Sequence, residues 1–335
     1  MSGKPVNSSM NSARLRSIVA VAVLCLAIHA LIAGCGGKYD KPLEFDREYR
    51  IGLYRYGDSL SGFEFATHMA VTGGHLFVSF ESDSALLDYF ANGARNRNVE
   101  FEGVIQPTIV GEGLRAIAVV DMAGGTLAVK VFRPGGGEPF LTFHDPEWVE
   151  IGGVAIDDDD NVYVSDVVRN FVRSYDTLGR PRFEIDLADS GFGIGHVMSP
   201  MGLCFDGEAL LIAEADDEKA QVQRISVHEP QRGIVFSTGV PFISSFTDSA
   251  GDEIAFSRPV GVATDIDGNI YVLDEGLGKI FRFTSEGEPY TEVNSPLIGG
   301  PSVLSSAVAV GTFGDRVFAF ERATGIIHFL YSTEQ

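Results

Sequence analysis

The stretch DIDGNIYVLDEGLGKIFRFTSEGE, residues 265–288, holds two short apolar runs set between turn signals, and Asp274 closes the first run. Asp-Gly and Gly-rich connections of this length suit tight antiparallel turns. With the preceding apolar run at 261–264, the stretch reads as strand, turn, strand, turn, strand, with strands over 261–264, 269–272 and 280–283. The first run is apolar on both faces, as a strand buried between sheets requires. The third, KIFRF, alternates, as a more exposed strand does.

The unit recurs. GVATDIDGNIYVLDEGLGKIFRFTSEG from Gly261 aligns without a gap on GVAIDDDDNVYVSDVVRNFVRSYDTLG from Gly153. Val262/Val154, Asp265/Asp157, Asn269/Asn161, Tyr271/Tyr163, Asp274/Asp166 and Gly287/Gly179 all match. Further copies start near His68, Gly202 and Ala307, and a weaker one starts at Ala116. Ala70, Ala118, Ala155, Cys204, Ala263 and Ala309 mark the first strand of each, and the interval from Ala118 to Ala155 is short for four strands. A three- or four-stranded sheet cannot bury both faces alone, whereas radial packing of several such sheets can. The expectation is therefore an all-β, six-bladed β-propeller over residues 47–335. REYRIGLYRYG at 47–57 has strand character and no hairpin partner, so it is expected to close the ring as the outer strand of the last sheet.

The copy opening RPVGVATDIDGNIYVLDEG resembles an NHL repeat. Pro259, Gly261, Val262, Ala263 and Asp265 match the first family element. Gly268, Asn269, Tyr271, Val272 and Asp274 match the second, with Phe283 in the aromatic strand and Gly287 closing it. The resemblance implies a six-bladed propeller and leaves the function open.

The N-terminus carries a different signal. Arg14 and Arg16 precede the uncharged run SIVAVAVLCLAIHALIAG at 17–34, followed by Cys35, Gly36 and Gly37. A basic segment, an apolar segment and small residues at the break describe a secretory signal. The end Ile32-Ala33-Gly34-Cys35 resembles a bacterial lipobox, in which the cysteine becomes the lipidated (palmitate-bearing) N-terminus. The expected organisation is signal peptide 1–34, lipidated Cys35 and tether 35–46, then the propeller. Met10 is an alternative start. This places the protein in the bacterial cell envelope, extracytoplasmic and held to the membrane by its N-terminal lipid alone. Gly36 after the cysteine resembles the outer-membrane case, if the host has an outer membrane.

The chain has 335 residues and a formal charge of −21, which repels phosphate backbones and argues against a nucleic-acid partner. With Cys25 in the signal and Cys35 lipidated, Cys204 stands alone in the folded part, inside the apolar run GLCF, and reads as core.

Catalytic motifs are absent: no G-x-S-x-G occurs, and the glycines at 135–137 lack the lysine and helix of a phosphate loop. Asp166, Glu214 and Asp274 end the second strands of their units, where acidic side chains accept backbone N–H bonds in their own turns. The acidic run at 156–161 lacks the alternation of a calcium loop and reads as a turn. Some NHL-type lyases place histidines just before several first strands, but here those positions hold at most His68. What remains is a rim built from the loops before the first strands and after the second. His68, Arg115, Arg169, Met201, Glu214 and Asp274 are placed on it, with Phe80 and Phe320 standing where two units lack the carboxylate. A mixed polar and aromatic rim suits an envelope protein, a peptide or a glycan, with no cofactor. The alternative is a lactonase- or lyase-like enzyme using a divalent cation in the central channel, its ligands unassigned.

Overall fold

The computed structural model describes residues 54–80, 84–113, 115–186, 197–216, 220–226, 236–237, 242–248, 251–293, 304 and 306–332. The signal, Cys35 and the tether lie outside these residues. Among the described residues every regular element is a strand, and the strands form a six-bladed β-propeller.

Each blade is an antiparallel sheet, and in blades 2 to 5 the strands a to d run in sequence order from the axis outward. Their inner strands a are Ala66–Thr72, Pro107–Glu112, Ile151–Ile156, Pro200–Phe205, Pro259–Thr264 and Ala307–Phe313. Their second strands b are His75–Phe80, Ile117–Ala123, Val162–Asp166, Ala209–Glu214, Ile270–Asp274 and Arg316–Glu321. Blade 1 is three-stranded, and an extra hairpin, Ser245–Thr247 with Glu253–Ala255, lies between blades 4 and 5. In blade 6 the outer strand comes from the other end of the chain: Tyr54–Leu60 pairs with Ile326–Ser332, Tyr54 opposite Ser332 and Leu60 opposite Ile327. The N-terminal segment therefore closes the ring, but its strand runs to Leu60, three residues beyond the expected end.

The second blade corrects the sequence reading. The apolar run from Ala116, expected as a first strand, is strand b. The inner strand is Pro107–Glu112, and Pro107 pairs with Asp121 as Pro200 pairs with Glu214 and Pro259 with Asp274. With Gly111 in place of Ala118 and Gly311 in place of Ala309, the short interval disappears.

Neighbouring blades supply one apolar core apiece. Six clusters of buried side chains each span two adjacent blades, and the last, with Val71, Val78, Phe318 and Phe329, joins blade 6 to blade 1. That arrangement gives each sheet two buried faces. The inner strands meet closely enough to require glycine. A Cβ on Gly111 would stand 1.9 Å from the Val154 carbonyl oxygen, and one on Gly153 would stand 2.3 Å from that of Met201. At these two positions glycine records close backbone approach.

The Asp…Asn-x-Tyr pattern also has a structural cause. Asp265 accepts from the Asp267 and Asn269 N–H groups at 3.0 and 2.9 Å, from Asn269 Nδ2 at 2.8 Å and from the Tyr271 hydroxyl at 3.0 Å. Asp157, Asn161 and Tyr163 repeat this network in blade 3. The acidic run at 156–161 is therefore organised around one carboxylate that holds its own a–b turn.

Candidate binding faces

The two ends of a propeller differ in what they expose. One end carries the starts of strands a and the b–c turns, and the other carries the a–b turns. Between them runs a channel lined by strand a of every blade, with a cavity volume of about 50 Å³. Valine, alanine and glycine dominate its wall, with Val110, Gly153, Val154 and Val262 among them.

His68 is the one lining side chain with an imidazole, and it sits near the strand-start mouth. Its Nδ1 accepts the Val110 N–H at 3.4 Å. Burial, reinforced by the nearby Arg322 cation, pushes its pKa down to about 3, so the ring is neutral at pH 7. The surface that His68 leaves exposed faces this narrow channel. Arg322 donates two hydrogen bonds to the Thr67 carbonyl, at 2.8 and 3.1 Å, and closes the seam between blades 6 and 1.

Beneath the same rim lie the repeat carboxylates. Asp166 accepts from the N–H groups of Val149, Glu150 and Arg169, the nearest at 2.6 Å. Asp274 accepts from Ser257, Arg258 and Leu277 at 2.7 to 3.0 Å. Glu214 accepts from the side chains of Gln221 and Gln223 and from the Met198 N–H. All three acids are completely buried. Each bonds the loop entering its own blade to strand b, and Asp166 and Asp274 also hold the b–c turn, so backbone donors fix these carboxylates in place.

Sequence reasoning missed two members of this set. Asp121 occupies the position in blade 2, where it accepts from the Ile105 N–H and pairs with Lys130. Glu321 occupies it in blade 6, opposite Ala307, and accepts from His328 Nε2 at 3.0 Å. Phe320 lies one residue before that position, in the core. Phe80 alone replaces the carboxylate, opposite Ala66 in blade 1. Pro107, matching Pro200 and Pro259, was the signal that would have located Asp121.

The rim residues separate accordingly. His68, Arg169 and Met201 share the strand-start end; Arg169 is exposed, and Met201 is partly buried against the core between blades 5 and 6. Glu214 and Asp274 lie below that surface. Arg115 sits in the a–b turn of blade 2, at the opposite end, because the strand after it is b and not a. Four side chains not singled out in the sequence are prominent at the strand-start end instead. Phe65, Ile105, Val149 and Val168 are 70, 51, 50 and 55% exposed, and they stand on the strand-start end of blades 1, 2 and 3. They stand on three consecutive blades, at the end that also carries Arg169.

Among the described residues no group of three or more His, Cys, Asp or Glu side chains is placed to hold a metal ion.

No protein-family model matches the chain, and no curated protein matches it either. Solved structures do resemble it. A Bacteroides thetaiotaomicron protein of unknown function superposes with a TM-score of 0.58 at 13% identity, over 83% of this chain and 73% of that one. A gluconolactonase from Xanthomonas campestris gives 0.54 at 12%, over 83% and 91%. A streptogramin B lyase gives 0.53 at 12%, over 84% and 98%. At these identities the likeness is one of fold.

Proposed function

We propose that the chain is a lipid-anchored propeller of the bacterial cell envelope, built from NHL-type repeats, that binds a partner protein and catalyses nothing. The carrying observation is the exposure of Phe65, Ile105, Val149 and Val168 at the strand-start end of three consecutive blades, the end that also carries Arg169. Exposed apolar groups grouped on one face and bordered by a cation mark contact surfaces for proteins more than for glycans, whose hydroxyls need polar partners. Cys35 carries the lipid and residues 36–46 form the tether, as the sequence pattern at 17–37 indicates.

A divalent-cation enzyme with its site in the channel is the competing reading, supported only by a fold shared with a gluconolactonase and a streptogramin B lyase. The described residues do not fit it. Among them the channel wall offers one imidazole and one thiol, His68 and Cys204, among aliphatic groups, and a hard cation needs several oxygen ligands.

The test is association in the host envelope. Chain carrying Phe65→Asp and Val168→Asp should lose its co-purifying partner, while Leu178→Asp, exposed at the other end, should keep it. Equal recovery of the partner with all variants would refute the assignment of this face.

A further inference from the structure

Blade 3 builds its part of the strand-start end around one buried carboxylate. Asp166 accepts the Val149 N–H at 2.6 Å and the Arg169 N–H at 2.8 Å. The Val167 N–H donates to the Glu150 carbonyl at 2.9 Å. The entry loop and the b–c turn are thereby fastened to each other, and the side chains of Val149, Val168 and Arg169 are all exposed. Each segment is also held from behind. Trp148 is buried and packs edge-on against Phe143 and Tyr175, with ring centroids 5.8 and 5.6 Å away. Asn170 accepts the Ser199 N–H of the blade 4 entry loop at 2.7 Å.

The same latch in blade 5 is finished differently. Aligned on the buried carboxylate, Asp274 matches Asp166, Glu275 matches Val167 and Arg258 matches Glu150. Arg258 and Glu275 pair at 2.7 Å, so the cation of that latch is neutralised within it. In blade 3 a valine stands where Glu275 stands. Arg133, Arg173, Arg180 and Arg224 each hold a carboxylate, whereas among the described residues Arg169 holds none. Glu150 shares the latch through its backbone, but its exposed carboxylate forms no ion pair with Arg169. The tip of blade 3 thus offers two valines and an unneutralised guanidinium on a rigidly held backbone.

We propose that a segment of the partner protein sets an aspartate or glutamate side chain on Arg169, with apolar neighbours covering Val149 and Val168. This inference rests on the strand-start end being the partner face, and it adds the chemistry that the partner presents there. The guanidinium fork matches a carboxylate in two parallel hydrogen bonds. Apolar cover on either side excludes water and strengthens the pair. The acidic chain repels a broadly acidic partner, so one local attraction of this kind fixes register and selects the partner.

The experiment places a photoreactive benzophenone side chain at Val149 of the full-length chain in the host envelope and sequences the partner peptide in the adduct. The expected peptide carries an aspartate or glutamate among apolar residues. Adduct yield should fall a few-fold with Arg169→Gln and roughly tenfold with Arg169→Glu. Exchanging the partner's acid for lysine should restore the adduct to the Arg169→Glu chain. Arg169 enters the latch through its backbone N–H alone, so the variants should melt with the unmodified chain, which excludes misfolding as the cause. Yield unchanged by Arg169→Glu, a cross-linked peptide without an acid, or no recovery on charge exchange would overturn this inference and leave the partner face standing. Adducts with lipid alone, or none from Val149, would overturn both.

Discussion

Replacing Asp274 with alanine removes the acceptor for three backbone N–H groups, those of Ser257, Arg258 and Leu277, at a completely buried position. Hydrogen bonds to a charged acceptor contribute roughly 1.5–3 kcal/mol each, and a buried donor left unpaired costs about 1–3 kcal/mol. The loop at 257–258 lies near the surface, so water recovers part of this and the net loss should be about 3–5 kcal/mol. In a domain of this size about 1 kcal/mol lowers Tm by roughly 2–4 °C, which places the drop on the order of 10 °C. Asp274→Asn keeps one carbonyl oxygen but turns an NH2 group toward N–H donors, and should cost about half as much. Asp267→Ala, exposed in the neighbouring turn, should fall within about 0.5 kcal/mol. The assay is urea unfolding followed by tyrosine and tryptophan fluorescence, with the slope against denaturant required to stay constant. If Asp274→Ala is as stable as Asp267→Ala, the buried carboxylate is not a structural latch, and its retention needs a functional explanation.

Other outcomes are equally specific. Gly153→Ala forces a Cβ to within 2.3 Å of the Met201 carbonyl and should destabilise by about 1–3 kcal/mol, whereas Gly135→Ala, with open space around it, should be neutral in the same urea titration. His68 is held neutral in the fold, with a pKa near 3 against an ordinary value of 6.5, so the unfolded chain takes up its proton first as pH falls. Its contribution is complete above pH 6.5 and is lost as the pH falls from there toward 3. Between pH 7 and pH 5 the unmodified chain should therefore lose about 1–2 kcal/mol more stability than His68→Gln, measured by paired denaturant titrations. Deleting residues 1–60 removes the outer strand of blade 6 and the Tyr54–Tyr271 hydroxyl contact of 2.9 Å. The exposed edge of Ile326–Ser332 should then drive association visible by size-exclusion chromatography.

The propeller was legible because its repeats carry their structural reasons in the sequence. The Asp…Asn-x-Tyr turn needs all three side chains, and Gly153 of strand a needs the absence of one. Blade 2 misled because its most apolar run, residues 116–123, is strand b. Strand b has a neighbouring strand on each side and a blade on each face, so hydrophobicity alone selects it over the true strand a, PTIVGE. That one-strand displacement also put Arg115 at the wrong end and concealed Asp121. The exposed apolar groups were illegible for another reason. Phe65, Ile105 and Val149 lie in loops of unrelated sequence before strands a, and only the closing of the ring brings them to one end. Glu214 and Asp274 were recognisable as repeat positions, but their complete burial depends on how each entry loop folds over strand b.

The most direct test of the central claim, that the strand-start end of this propeller receives a partner protein, is site-specific photo-cross-linking in the host envelope. A photoreactive residue at Val168 is compared with one at Leu178; the two sites are similarly exposed, at opposite ends. The account predicts a discrete adduct from Val168 that is missing from Leu178 and is abolished by Phe65→Asp. An adduct that forms equally from both positions, or none from Val168 at native expression, would contradict it.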